Sequence, residues 1–185
     1  MTKIFLIHGA FGNPQENWFP WLKQKLEELN HEVISPEFPT PENQSLENWN
    51  KKFSEYENQI DENTVFVGHS LAPVFLLSVL ERINISIKGS FFISGFIKLL
   101  GNETFDTINR TFVDKTFNWG TIQHNCKQFF IYHSDNDPYV PIERANELAD
   151  KLNVKPTIIK NAGHFNEEAG YVKFEKLFND IKSIF

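Results

Sequence analysis

Cys126 is the only cysteine in this chain of 185 residues. An internal disulfide is therefore impossible, and a zinc site built on several thiolates is excluded. A surplus of positive charge is also missing: 18 Lys and Arg stand against 24 Asp and Glu, a formal net charge of −6. Nucleic-acid binders need a basic face, and no run of clustered Lys or Arg supplies one, so no nucleic-acid partner is expected. No apolar stretch approaches the roughly 18 residues of a membrane-crossing helix. The run Ile4-Phe5-Leu6-Ile7 ends at His8-Gly9, too soon for the core of a secretory signal. The phosphate loop G-x-x-x-x-G-K, the dinucleotide fingerprint G-x-G-x-x-G and the metalloprotease H-E-x-x-H are absent as well. These absences lead us to expect a cytoplasmic protein, off the membrane, that uses neither cofactor nor metal.

Hydrophobic residues make up 41% and charged residues 23%, the composition of an ordinary globular chain. The length corresponds to one domain spanning 1–185. Along it, short β-rich runs alternate with segments of helical spacing. Strands are expected at Lys3–His8, Glu32–Ser35, Thr64–Val67, Gly89–Ile93, Gln128–Tyr132 and Pro156–Ile159. Helices are expected after Asn13-Pro14, with Trp18, Leu22, Leu26 and Leu29 as its stripe, and after Ser45, with Leu46, Trp49, Phe53, Tyr56 and Ile60. Three more are expected: Val74 to Leu80, one opened by Pro141, and a closing helix from Tyr171 to Phe185. The stretch Gly95–Asn125 reads as irregular. Strands apolar on both faces, alternating with helices, mean a mostly parallel six-stranded sheet covered on both sides, a three-layer α/β sandwich.

In such sheets ligands bind beyond the carboxyl ends of the strands. The residues that follow the strands are therefore the candidates, and three of them form a chemical set. Gly68-His69-Ser70-Leu71-Ala72 joins an apolar strand to an apolar helix and reads as a nucleophile elbow, with Ala72 where the G-x-S-x-G form has glycine. Asp135 and Asp137 compete for the acid; Asp137 is favoured because Asp137-Pro138-Tyr139-Val140-Pro141 leaves the strand in a rigid turn, whereas Asp135 suits a backbone hydrogen bond. His164, after Gly163 in the last strand's loop, supplies the base. The backbone N–H groups of Ala10 and Leu71 are placed to form an oxyanion hole, with His8 bracing the first loop. Phe11, Trp18 and Trp119 are candidates for the substrate pocket, with Trp21 and Phe117 beside them. His69 reads as packing, His31 and His124 as solvent-facing, and Cys126 as a buried thiol.

The ordered set His8-Gly9-Ala10, Gly68-His69-Ser70-Leu71-Ala72, Asp137-Pro138-Tyr139-Val140-Pro141 and Gly163-His164-Phe165 resembles the α/β-hydrolases. Its short length without a large lid is similar to the small retinoblastoma-binding-protein-type serine hydrolases. That resemblance implies a minimal α/β-hydrolase fold, the triad Ser70, Asp137 and His164, and ester-type hydrolysis. The expected function is thus a carboxylesterase-like serine hydrolase acting on small esters through an acyl-enzyme, its partner a small-molecule ester or amide. Three alternatives remain. An amidase or peptidase would use the same triad, a non-catalytic binding protein would keep only the fold, and a flavodoxin-like redox protein would leave the triad unexplained.

Overall fold

The computed structural model describes residues 1–185. Its strands are β1 (Lys3–Ile7), β2 (Glu32–Ile34), β3 (Val65–His69), β4 (Gly89–Ile93), β5 (Phe129–Ser134) and β6 (Thr157–Ile159). Its helices are α1 (Phe19–Glu27), α2 (Leu46–Phe53), α3 (Ala72–Arg82), α4 (Glu103–Val113), α5 (Trp119–His124), α6 (Ile142–Leu152) and α7 (Glu175–Lys182). The strands form one sheet in the order β2-β1-β3-β4-β5-β6, and every pairing is parallel. This is the expected α/β sandwich.

The strand order explains why helices cover both faces. From β1 the chain moves outward to β2, then reverses, jumps back over β1 to β3, and continues in the opposite direction. Crossovers between parallel strands are right-handed, so a reversal of direction transfers the connecting helices to the other face. Alternate strand residues accordingly divide between two cores. Ile4, Leu6, Val65, Val67, Phe91 and Ile93 pack with Leu22 and Leu26 of α1 and Leu177 and Ile181 of α7. Phe5, Ile7, Phe66 and Phe92 face the other way, against Trp49 and Phe53 of α2, the length of α3, Phe112 of α4 and Leu148 of α6. The reversal also leaves a crevice between the carboxyl ends of β1 and β3, where Ile7 pairs with Gly68.

Two local expectations are corrected. The first helix starts at Phe19 rather than beside Asn13, because the Asn13 carboxamide accepts from Gln15 N (2.8 Å) in a turn of its own. Pro20, lacking an N–H, then occupies the first turn of α1. The stretch Gly95–Asn125 is not irregular: it contains α4 and α5. Both are capped by asparagine, Asn102 accepting from Thr104 N and Phe105 N, Asn118 from Thr121 N. Smaller shifts concern helix ends; α2 stops at Phe53, with a separate 3-10 turn at Glu57–Gln59, and α7 begins at Glu175. No helix is long and apolar enough to cross a membrane.

Candidate active site

Ser70 sits where β3 turns into α3 with φ of 60°, the left-handed region that a non-glycine residue enters at a cost. Its own N–H, bonded to the Ile93 carbonyl of β4 (2.8 Å), anchors the turn to the sheet. Gly68 is required by crowding: a Cβ there would lie 2.8 Å from Leu76 Cδ1 and 3.1 Å from both Ala72 Cβ and Pro73 N. Ala72, the departure from the usual elbow, is fully buried and its methyl packs beneath Gly68. The Ala72 methyl thus adds to the crowding that keeps position 68 a glycine.

Across the crevice, the loop after β1 presses on the serine. A Cβ at Gly9 would be 2.7 Å from Ser70 Cβ. His8 holds that loop as expected: its Nε2 accepts from Phe38 N (2.9 Å), so its Nδ1 carries the proton and donates to the Gly9 carbonyl (2.8 Å). The N–H groups of Ala10 and Leu71 make no hydrogen bond within the chain.

The other two polar candidates meet beside this turn. His164 Nδ1 donates to Asp137 Oδ2 at 2.8 Å and Oδ1 at 3.0 Å, which leaves Nε2 as the ring nitrogen without a partner. Asp137 also accepts from Tyr139 N (2.9 Å), Val140 N (3.0 Å) and Ser94 Oγ (2.8 Å). Burial works against its charge, but the hydrogen bond and charge of His164, helped by the two backbone N–H groups, outweigh burial and hold the carboxyl below its usual range. Asp135 is occupied elsewhere, accepting from Asn161 N (2.8 Å).

The sequence reading gave Asp135 a backbone hydrogen bond but no role to Ser134, Asn136 or Ser94, which also align these loops. Three successive backbone N–H groups of the histidine loop, Asn161, Ala162 and Gly163, donate to Asp135 Oδ1, Ser134 Oγ and Asn136 Oδ1 in turn, each at 2.8–2.9 Å. Ser94, itself at φ 50°, orients the Asp137 carboxylate from β4. The Tyr139 ring meets His164 edge-on, with centroids 5.1 Å apart. Ser and Asn following strands β4 and β5 were the available signal.

Ser70, His164, Ala10 and Phe11 line one cavity of about 400 Å³. Its lining includes the apolar Phe96, Leu100, Phe105 and Val140 as well as Glu16, Glu167 and Glu168. Trp18 and Trp119 are corrected, since neither reaches this cavity. Trp18 is fully buried under the histidine loop, stacked on Phe19 and donating from Nε1 to the Phe165 carbonyl (2.9 Å). Trp119 packs on Phe117 at the start of α5, beneath Lys151. Trp21 lies against Phe178 of α7. No group of three His, Cys, Asp or Glu is arranged to hold a metal ion.

His69 proves to be more than filler. Its Nε2–H donates to the His164 carbonyl (2.7 Å), and its ring lies 4.8 Å from that of His164. Burial first, and then the neighbouring His164, push its pKa down to about 3. Burial likewise lowers His8 and His133 below their ordinary value near 6.5. The unfolded chain takes up protons at these positions below about pH 6.5 while the folded chain resists, so stability must fall as pH drops through that window. His69, the most strongly shifted of the three, contributes a slope of up to about 1.4 kcal/mol per pH unit between its folded value and 6.5; His8 and His133 add to it in the same direction. Urea unfolding between pH 7.5 and 4.5 is expected to show this loss, with a shallower slope in His69→Gln, where the amide can still donate. An unchanged unfolding free energy across that range would contradict the neutral burial of these rings.

Comparison with known proteins agrees with this architecture. A family model described as serine hydrolase matches residues 4–183. YdeN from Bacillus subtilis (strain 168) is 29% identical over 188 residues, covering 100% of this chain and 97% of its own. The crystal structure of that gene product superposes with a TM-score of 0.93 at 27% identity, covering 100% and 98% of the two chains. Serine hydrolase RBBP9 from Rattus norvegicus is 24% identical over 186 residues, covering 99% of this chain and 95% of its own. Est1E from Butyrivibrio proteoclasticus shares the fold, with a TM-score of 0.72 at 17% identity over 98% of this chain and 86% of that one.

Proposed function

The chain belongs to the serine hydrolase family of the α/β-hydrolase superfamily, and from that premise we propose that it cleaves small carboxylic esters through Ser70, His164 and Asp137. The observation that carries this reading is the convergence on one cavity of Ser70 in a left-handed turn and His164 hydrogen-bonded to a buried carboxylate. With Nδ1–H committed to Asp137, His164 keeps Nε2 as a base. It takes the proton of Ser70 Oγ as that oxygen bonds to the ester carbonyl carbon. The negative charge that develops on the carbonyl oxygen is received by the free N–H groups of Ala10 and Leu71. Collapse breaks the bond to the alkoxide, which leaves as the alcohol with the proton from His164, and an acyl-serine remains. His164 then takes a proton from water, the hydroxide attacks the acyl carbon, and Ser70 regains its proton as the acid departs.

The cavity volume and the shortness of the segment between β4 and β5 favour small esters. Amides share the same residues and differ in the leaving group, so only substrate comparison separates the two readings. A fluorophosphonate probe is expected to modify wild type on the peptide containing Ser70. kcat/KM on an ester is expected to exceed that on the anilide of the same acid. A preference for the anilide would transfer the assignment to an amidase. Folded protein that takes no label would leave a binding protein that retains only the fold.

A further inference from the structure

Where α4 lines the cavity, one helical turn from Phe105, one buried polar side chain lacks a complete set of partners. Asn109 of α4 is 2% exposed and lines the cavity among Phe96, Leu100, Phe105 and Val140. A chain of hydrogen bonds determines which way its amide points. Phe11 N donates to Thr40 Oγ1 (2.6 Å), and the Thr40 hydroxyl therefore spends its own hydrogen on Gln44 Oε1. Gln44 must then present Nε2, which donates to Asn109 Oδ1 (2.8 Å) and to the Ile108 carbonyl (3.1 Å). With Oδ1 so occupied, Asn109 Nδ2 is the remaining polar atom, and it makes no hydrogen bond within the chain. Unlike Ser35 Oγ, His133 Nδ1 and Arg144 Nε, which are buried and unpartnered, Nδ2 keeps accessible surface, so its two N–H donors open on the cavity and are available to an acceptor there.

We infer that Asn109 is a specificity-determining residue: the substrate places beside α4 an apolar group bearing one uncharged oxygen, a ketone, ether or hydroxyl, that accepts from Asn109 Nδ2. This rests on the serine-hydrolase reading of the cavity and specifies the substrate class for it. The apolar lining suits the carbon skeleton. Phe11, Phe105 and Tyr139 continue it toward His164, in edge-to-face contact with centroids 5.9 Å apart at each step. An anionic oxygen is disfavoured because Glu16, Glu167 and Glu168 line the same cavity, and burial, assisted by Glu167, already raises the Glu16 carboxyl above its ordinary value. The relay from Phe11 to Asn109 also ties the donor to the loop that carries Ala10, so the two points of substrate contact are fixed relative to each other.

The test uses 4-nitrophenyl esters of 4-oxopentanoic, 5-oxohexanoic and 6-oxoheptanoic acids beside their isosteres with a methyl branch in place of the ketone oxygen. A parallel series of acetates carries the same chains on the alcohol side. Wild type is expected to prefer the ketone at one chain length by about tenfold or more in kcat/KM, the scale of leaving a buried donor unmatched. In Asn109→Leu that ratio should fall to within about twofold of unity, because the isostere then fits as well. Asn109→Asp, which keeps the acceptor for Gln44 and removes the donor, should lose the preference too and serves if the leucine variant does not fold. No preference in either series, or a preference that survives both variants, overturns the assignment to Asn109. Fluorophosphonate labelling of wild type distinguishes the levels: a labelled serine with no ketone preference defeats this inference alone, whereas absent labelling defeats the reading beneath it.

Discussion

Replacing Asp137 by asparagine is expected to lower kcat by about 10,000-fold, the scale on which a Ser-His-Asp site loses its base to the wrong tautomer. The geometry favours that outcome, although Oδ1 also lies 3.0 Å from His164 Nδ1. Tyr139 N and Val140 N both donate to Asp137 Oδ1, so an asparagine here must put its carbonyl oxygen at that position. Its NH2 then takes the place of Oδ2, 2.8 Å from His164 Nδ1. A donor facing Nδ1 draws the ring into the tautomer with its proton on Nε2, and the nitrogen meant to receive the Ser70 proton already has one. Ser94 Oγ, now a donor to Oδ2, can rotate to accept from the new amide, so the wrong arrangement is fully satisfied and stable. Asp135→Asn is the matched control. Its carbonyl can still accept from Asn161 N, and activity should stay within about threefold of wild type. Steady-state rates for the two variants decide the matter: equal losses, or a larger loss at Asp135, would remove Asp137 from the role of acid.

Much of this arrangement could be read in advance because the relevant residues follow strands. The alternation of apolar runs and helical stripes defines a parallel sheet, and the ends of its strands bring Ser70, Asp137 and His164 to one edge. The structure gathers all three beside one crevice. What could not be read depends on contacts distant in sequence. Trp18 lies near the first loop along the chain, yet its indole is claimed by the Phe165 carbonyl, 147 positions away, and it is drawn beneath the site. Helix α4 carries an apolar stripe at helical spacing, Phe105, Ile108 and Phe112, that was passed over among the surrounding loop-type residues, and α5 is only six residues long with Gly120 inside it. Their caps, Asn102 and Asn118, look like loop asparagines until the chain is seen to turn there. Asn109 was passed over for the same reason: a polar residue on a helix is ordinarily solvated, and only tertiary packing buries this one. Ser94 and Asn136 carry no motif at all, and their importance lies in which loop they reach.

Gly9→Ala should be nearly as damaging as a change in the triad, lowering kcat by about 100- to 1,000-fold while the protein remains folded. Gly9 does not have positive φ, so alanine meets no backbone obstacle there and the effect is steric. The new methyl would lie 2.7 Å from Ser70 Cβ, 3.0 Å from the His69 carbonyl and 3.3 Å from Ser70 Oγ, so one side has to give way. Ser70 is held to β4 through the Ile93 carbonyl, and the strand behind it is central to the sheet. The loop is the softer partner, and its retreat would carry the Ala10 N–H away from the developing oxyanion. Losing one such donor affects the transition state more than bound substrate, so kcat should fall with KM little changed. Ala72→Gly supplies the contrast. It removes the methyl packed beneath Gly68 and restores the usual elbow glycine, so activity should stay within about threefold of wild type. Its cost appears instead in the thermal midpoint, from a roughly 1 kcal/mol loss of helix propensity and packing at the start of α3. Should folded Gly9→Ala turn over at the wild-type rate, the loop does not rest against Ser70 during catalysis, and the oxyanion must be held by donors other than Ala10.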